Sequence, residues 1–169
     1  MKNLKEIAVC LLLLTQLLGE MLPSDGSIVN YRQVFFSWDQ IPEIDSYQFF
    51  IQNITDDSEF TFNTIKNSIL IENIFNWNTT YNWGVCGELT NGSVECTTQH
   101  QLIINSLPDY YPDNVNLINH VPELSQNGIT FMDFESLNFS SSLDKNGNPI
   151  WFADKNNFEE RFTFTQFFK

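Results

Sequence analysis

The chain has 169 residues and a formal net charge of -13, from 8 basic and 21 acidic side chains. Domains cluster at about 100 to 150 residues, so this length fits one domain and part of another. Between Arg32 and Lys145 the only basic residue is Lys66, which excludes the clustered Lys and Arg surface that nucleic acid or an anionic membrane requires.

The first 19 residues have the composition of a signal peptide. Lys2 and Lys5 precede an apolar run over residues 7–14, and polar residues begin at Glu20. A membrane-spanning helix needs about 20 apolar residues, and this run is shorter. We therefore expect cleavage, secretion to the periplasm or the extracellular space, and no membrane association afterwards.

Residues 34–51 carry two strand patterns separated by an acidic connection. Apolar side chains occupy every second position in both runs, as expected for half-buried strands: Val34, Phe36, Trp38, Tyr47, Phe49 and Ile51. Residues 39–46 contain Pro42 and three acids, a composition that favours a solvated turn. The rest of the chain is expected to pack onto these two strands.

Four further strand patterns follow. Phe60 and Phe62 share a face, residues 68–71 form a short β-branched run, and residues 81–85 alternate again. The Asn-Gly turn at Asn91 and Gly92 predicts a hairpin onto one strand over residues 94–104.

The cysteine count predicts one disulfide. Cys10 leaves with the signal peptide, so Cys86 and Cys96 remain in an oxidising compartment. If they face each other across the hairpin, paired positions sum to 182 and the loop has three residues ending at Gly92, where positive φ is usual. Neighbouring strands bring such a pair within disulfide range. The alternative is two unlinked thiols.

The C-terminal third reads as a linker and the beginning of a second β unit. Residues 106–127 lose all periodicity and contain three prolines. Strand patterns follow, with a turn at residues 144–147, over residues 128–134, 137–143, 150–153 and 161–168. A few strands alone are marginal in water, so we expect a truncated chain whose tail strands lack a covering partner set.

Residues 28–105 resemble the fibronectin type III domain. The resemblance rests on a tryptophan that ends that family's strand B, here Trp38, on a tyrosine that opens strand C, here Tyr47, and on the pair Tyr81 and Val85 on strand F. Phe75 stands where that family usually has leucine, six positions before the tyrosine. Short alternating strands with regular turn signals are typical of sandwiches in general. The resemblance implies an immunoglobulin-like β-sandwich.

Residues 115–168 resemble the start of the secreted bacterial arylsulfotransferases. That family's β-propeller opens with a glycine-led strand, a second strand and an Asp-x-x-Gly turn before a tryptophan, matched here by Gly128, Ile129, Phe131, Leu143, Asp144, Gly147, Ile150 and Trp151. Other propellers repeat a similar hairpin. The expected fold class is all-β, a sandwich followed by a truncated propeller beginning. The family's catalytic histidine would lie beyond Lys169, so no catalytic residue is assigned.

No cluster in the chain specifies a reaction. Asp144, Asn146 and Asn148 alternate like ligands of a calcium loop, but the sixth and twelfth positions hold Pro149 and Lys155, so an ordinary hairpin turn is favoured. His100 and His120 have no ligand or nucleophile at a useful spacing and read as surface residues. We expect no cofactor and no metal. Glycosylation sequons begin at Asn53, Asn78, Asn91 and Asn138.

Two functions remain open at this point. The chain is the non-catalytic N-terminal fragment of a secreted arylsulfotransferase-like enzyme, whose full-length form would take a phenolic sulfate donor and acceptor. Alternatively, it is a secreted or surface binding module with a protein or glycan partner. A downstream histidine on a further propeller blade would favour the enzyme, and a second sandwich or a sorting tail would favour the binder.

Overall fold

A computed structural model describes residues 21–44, 46–89, 91–112, 128–134 and 139–154. The signal segment, the last predicted strand and most of the linker lie outside these residues. In the described part every regular element is a strand, so the all-β expectation is confirmed. The strands are β1 (Ser27–Val29), β2 (Val34–Ser37), β3 (Tyr47–Asn53), β4 (Glu59–Thr64), β5 (Ser68–Ile71), β6 (Thr79–Glu88), β7 (Val94–Cys96), β8 (His100–Ile104), β9 (Thr130–Phe134), β10 (Phe139–Leu143) and β11 (Pro149–Asp154).

The strands form three sheets. The largest has the order β1-β8-β6-β3-β4, with β7 pairing onto β6, while β2 pairs with β5 and β10 lies between β9 and β11. By contacts between Cα atoms the chain divides into two units. The first comprises residues 1–27, 34–71 and 80–103, and the second comprises residues 28–33, 72–79 and 104–169.

The first unit is a β-sandwich with an aromatic core. The Phe36 ring on β2 lies 4.8 Å from Phe49 on β3 and 4.9 Å from Trp83 on β6, centroid to centroid. Trp38 meets Tyr47 edge-on at 5.5 Å. Each of these side chains is at most 2% exposed. Aromatics of this kind bury about 150 to 250 Å² each, so the two sheets have a large apolar core between them.

The connection between β2 and β3 also contributes to this core. Ile44 is buried, although the composition of residues 39–46 favours a solvated turn. It packs onto Gly87 of β6, where a Cβ atom would come within 2.5 Å of two Ile44 carbons. The glycine is therefore needed for the isoleucine to reach the sheet.

The predicted strand over residues 94–104 is two strands, and the prediction of one was wrong. Between β7 and β8, the Thr97 hydroxyl accepts a hydrogen bond from Val85 N at 3.1 Å, and Thr97 N donates to Val85 O at 2.8 Å. A side chain thus replaces a backbone carbonyl in the ladder and ends β7. Strand β1 was not predicted, because three residues are too few to show periodicity.

The second unit has its own core, so the expected lack of covering side chains was wrong. All five residues of β10 are buried. Phe139 of β10, Phe152 of β11 and Tyr111 form a cluster, against which Trp77, Leu107 and Phe134 pack. The Trp77 side chain helps to cover this second core, although Trp77 lies in the sequence range predicted to belong to the sandwich.

Residues 30–32 extend the second unit's sheet beyond β11. Tyr31 pairs with Trp151, and the flanking hydrogen bonds run from Arg32 N to Ile150 O at 2.8 Å and from Phe152 N to Asn30 O at 3.0 Å. The Arg32 guanidinium donates to the carbonyls of Phe75 and Pro149. The Arg32 side chain therefore joins segments of the second unit and is not part of a ligand surface.

Candidate functional site

The disulfide lies on the outer side of the largest sheet. Cys86 and Cys96 face each other across β6 and β7 with a sulfur–sulfur distance of 2.09 Å and a Cα–Cα distance of 4.0 Å. The register pairs Gly87 with Glu95, and Leu89 N donates to Ser93 O, so the hairpin has the expected register. Gly92 has a φ of 82°, as the expected loop requires.

The outward side chains of β4, β3 and β6 form a surface that we call the amide face. Because paired residues on neighbouring strands point to the same side of a sheet, the register arranges them in three rows. The rows are Asn63–Gln48–Cys86, Thr61–Phe50–Gly84 and Glu59–Gln52–Asn82. Gln99 lies beside the last row, and Glu88 and Val94 lie beside the first.

Five amide side chains dominate this face: Gln48, Gln52, Asn63, Asn82 and Gln99. None of their side-chain atoms makes a hydrogen bond to any residue that the structure describes. Some amides elsewhere are used internally, as with Asn67, which donates to Trp38 O at 3.2 Å. Each free amide carries two N–H donors and an accepting oxygen. The face thus offers unused hydrogen-bonding capacity of both kinds.

Phe50 occupies the centre of the amide face because its neighbour is a glycine. A Cβ atom at Gly84 would lie 2.6, 3.1 and 3.3 Å from three carbons at the far end of the phenyl ring. The ring therefore lies across the β6 backbone and remains only partly buried. An aromatic side chain stands between two rows of amides.

Two adjoining hollows follow β3 along this face. Each has a volume of about 260 Å³. One is next to the disulfide and is lined by Asn63, Cys86 and Glu88, and the other is next to Phe50 and is lined by Gln52 and Asn82. Gln48 lines both. The two hollows therefore adjoin at Gln48, and we call them together the track.

The Asp144 carboxylate anchors its own hairpin turn through hydrogen bonds. Asp144 Oδ1 accepts hydrogen bonds from the backbone N–H groups of Asn146 and Asn148 at 2.8 Å each, and Oδ2 accepts one from the Asn148 side chain at 2.9 Å. Gly147 has a φ of 82°, which completes a tight turn. Among the described residues no three His, Cys, Asp or Glu side chains come together as metal ligands would.

The turn interactions also act on the ionisation of Asp144. Partial burial raises its pKa, but hydrogen bonds from Asn148 and Asn146 and the charge of Arg32 together outweigh burial, so the pKa lies below its ordinary value. The carboxylate is therefore held in its charged form as the anchor of the turn.

Two other expectations about single residues change. His100 is not a plain surface residue, because its ring meets Trp83 edge-on at 5.4 Å and its Nδ1 is buried. His120 and Asn138 lie outside the described residues. The Asn53 side chain is not accessible for glycosylation in the folded protein, since Asn53 is 3% exposed. Its side-chain oxygen accepts a hydrogen bond from Thr55 N at 2.8 Å.

No protein-family model matches the chain, and a search of curated proteins finds no match either. Within the described residues no helix has the length and apolar character needed to cross a membrane.

The sequence already contained the signal for the amide face. The residues alternating with the apolar positions of β3 and β6 are Gln48, Phe50, Gln52, Asn82 and Gly84. A solvated strand face usually carries charged residues, and these positions carry none. Hydropathy alternation identifies the inward-facing residues of a strand but gives no information about the polar groups that the outward-facing residues carry.

Proposed function

We propose that the chain is a secreted, non-catalytic recognition module with a fibronectin type III-like sandwich, whose ligand surface is the amide face. The observation that carries this proposal is the set of five amide side chains along two adjoining hollows, none of which makes a hydrogen bond to a described residue. Aromatic side chains supply contact area in ligand sites, and polar groups beside them fix the orientation of the ligand. The partner is a protein or a glycan.

The order of the strands supports the sandwich assignment. In immunoglobulin-like domains the strands C, F and G are neighbours in one sheet and B and E lie in the other. The neighbours β3, β6 and β8 in the largest sheet, with β2 and β5 paired separately, follow that pattern. Tyr47, Phe75 and Tyr81, which carry the resemblance, are fully or almost fully buried.

Secretion is supported by two independent features. The N-terminal sequence combines Lys2 and Lys5 with an apolar run of signal-peptide length. The Cys86–Cys96 pair is bonded, and disulfides persist mainly in oxidising compartments.

The recognition function is tested by screening the full chain on immobilised neutral glycans, anionic glycans, and basic and acidic peptides. We expect retention by one class, lost in the double variant Gln48→Ala/Asn63→Ala. The control is Leu70→Ala, at a 55% exposed site on the outer face of β5. No retention by any class, or undiminished retention of the double variant, would overturn the proposal.

A second proposal concerns the protein to which the module belongs. We infer an arylsulfotransferase-like parent that transfers sulfate between phenolic compounds. Support comes from the antiparallel order β9-β10-β11, with the Asp144–Gly147 turn between β10 and β11 and Trp151 next in β11. An Asp-x-x-Gly hairpin before tryptophan is the feature shared with that family.

The enzyme proposal is tested by a sulfate-transfer assay with p-nitrophenyl sulfate as donor and phenol as acceptor. This chain is expected to give no turnover, because none of its residues matches the catalytic histidine of that family. Turnover by the chain alone would contradict the placement of the active site in another part of the parent protein.

A further inference from the structure

We propose that the amide face binds an uncharged polysaccharide chain lying along β3, with Phe50 stacked against one sugar ring. This inference rests on the recognition function proposed above and adds the chemical class of the ligand. Four properties of the face select that class.

The first property is charge. Glu59 and Glu88 flank the face, and the described residues that line the two hollows include no Lys or Arg. The chain as a whole carries a net charge of -13. A polyanion such as a sulfated or uronic-acid glycan would approach a surface of its own sign, which costs affinity and slows association. The ligand is therefore neutral or cationic.

The second property is the chemistry of the lining side chains, which favours a neutral ligand over a cationic one. A cationic partner is best bound by carboxylates, and among the described residues only Glu59 and Glu88 lie at the face, at its edges. The interior of the track is lined by amides, which both donate and accept in one plane. Neighbouring hydroxyls on a sugar ring also both donate and accept. Amides in pairs, such as Asn63 with Gln48 and Gln52 with Asn82, match them better than they match ammonium groups.

The third property is the central aromatic ring. Phe50 is partly exposed between the amide rows, and its position depends on Gly84. Sugar rings present a C–H face that packs on an aromatic surface, while their hydroxyls point outward around the edge. One phenyl ring flanked by amides therefore contacts both parts of a sugar at once.

The fourth property is length. Gln48 and Gln52 are four residues apart on one strand, about 13 Å at the usual rise per residue. Gln48 borders both hollows, so a ligand that occupies both would contact this residue at the point where they adjoin. A track of this form fits consecutive units of a chain and not a single monosaccharide.

The test measures binding of the full chain to four neutral linear hexasaccharides, namely cellohexaose, laminarihexaose, maltohexaose and mannohexaose, by isothermal titration calorimetry. We expect binding of at least one of them, unchanged by 0.5 M NaCl because no charges are paired. Phe50→Ala should lower the affinity up to about tenfold, the effect of losing one aromatic contact. Phe35→Ala, at an exposed aromatic on the outer face of β2, should leave it unchanged.

A second variant probes the position of the ring without removing it. Gly84→Ala places a Cβ within 2.6 Å of the Phe50 ring and must displace it, although Gly84 needs no positive φ. We expect the same loss of affinity as for Phe50→Ala, with circular dichroism confirming that both variants are folded.

Two results would overturn the inference. If none of the hexasaccharides binds, and hexalysine binds in a salt-sensitive way that Gln48→Ala/Asn63→Ala abolishes, the ligand class is wrong and the recognition function stands. If a hexasaccharide binds equally well to Phe50→Ala and to the double variant, its site lies elsewhere and the assignment of the amide face fails.

Discussion

Gly87 shows how a single missing Cβ atom sets the packing of the sandwich. Ile44 reaches the inner side of β6 only because residue 87 has no side chain. Gly87→Ala is expected to destabilise the first unit by about 1 to 3 kcal/mol, the usual cost of overpacking a core. Urea denaturation followed by tryptophan fluorescence measures this. Gly128→Ala is the control, because a Cβ there would have no atom of the described residues within 4 Å. Equal midpoints for both variants would contradict the account.

Tyr111 has a comparable role in the second unit. Ser141 Oγ donates to Trp151 O at 2.9 Å, and a hydroxyl has one hydrogen, so Tyr111 must be the donor in its 2.7 Å contact with Ser141. Burial raises the pKa of Tyr111 above its ordinary value. The phenol is therefore held in its protonated form.

Tyr111→Phe is expected to lower the free energy of unfolding by about 1 kcal/mol, through loss of one buried hydrogen bond. Because the folded pKa is raised, the wild-type advantage is present below the ordinary tyrosine pKa and decreases as the solution becomes more alkaline. Denaturation at neutral and alkaline pH measures both effects. Tyr31→Phe is the control, since the Tyr31 hydroxyl has no hydrogen bond in the part of the chain that the structure describes. A Tyr111→Phe effect no larger than the control's would contradict the assignment.

At the scale of single elements, strand positions follow from alternation where the strand is long and one face is buried. The patterns around Tyr47–Phe49 and Tyr81–Trp83 predicted β3 and β6 because period two identifies an inward face. The same method failed for β7 and β8, where the hydroxyl of Thr97 interrupts the ladder in a way that hydropathy does not report. It also missed the amide face, because alternation assigns the outward positions of a strand to solvent whatever polar groups they carry.

The Asp144 turn is an element whose stability depends on pH. The folded pKa of Asp144 is depressed, so its contribution is present above the ordinary carboxyl pKa and is lost as pH falls through the lower folded value. Amide proton shifts of Asn146 and Asn148, followed from about pH 6 to about pH 2, should change together below the usual aspartate range. Asp144→Asn, which does not titrate, should remove this transition. A midpoint at or above the usual range would be inconsistent with the hydrogen bonds described.

The β6–β7 hairpin should be covalently closed in the mature protein. Free-thiol labelling of folded, unreduced protein is expected to leave Cys86 and Cys96 unmodified, and labelling after reduction should modify both. Closing so short a loop stabilises by roughly 2 to 3 kcal/mol in the chain-entropy model. Stoichiometric labelling without reductant would show that the hairpin depends on its backbone hydrogen bonds alone.

At the scale of the whole molecule, the division into units follows the order of the chain only in part. Residues 28–33 and 72–79 belong to the second unit by their contacts, although they lie within the sequence range that resembles a sandwich. Arg32 and Trp77 explain this, because the guanidinium binds the carbonyls of Phe75 and Pro149 while the indole packs on Phe152 at 5.6 Å between ring centroids. Alternation along the chain could not reveal contacts between segments so far apart in sequence.

Because each unit has its own buried core, we expect both units to resist local opening, which amide hydrogen exchange can measure. Strand β10 is hydrogen-bonded on both sides, and all five of its residues are buried, so its backbone amides are expected to exchange as slowly as those of β3 and β6. The exposed turn between β3 and β4, at Asp57, should exchange fast and provide the internal reference. If Phe139–Leu143 exchanged at the rate of that turn, the cluster of Tyr111, Phe139 and Phe152 would not constitute a stable core. The second unit would then depend on further strands for its stability.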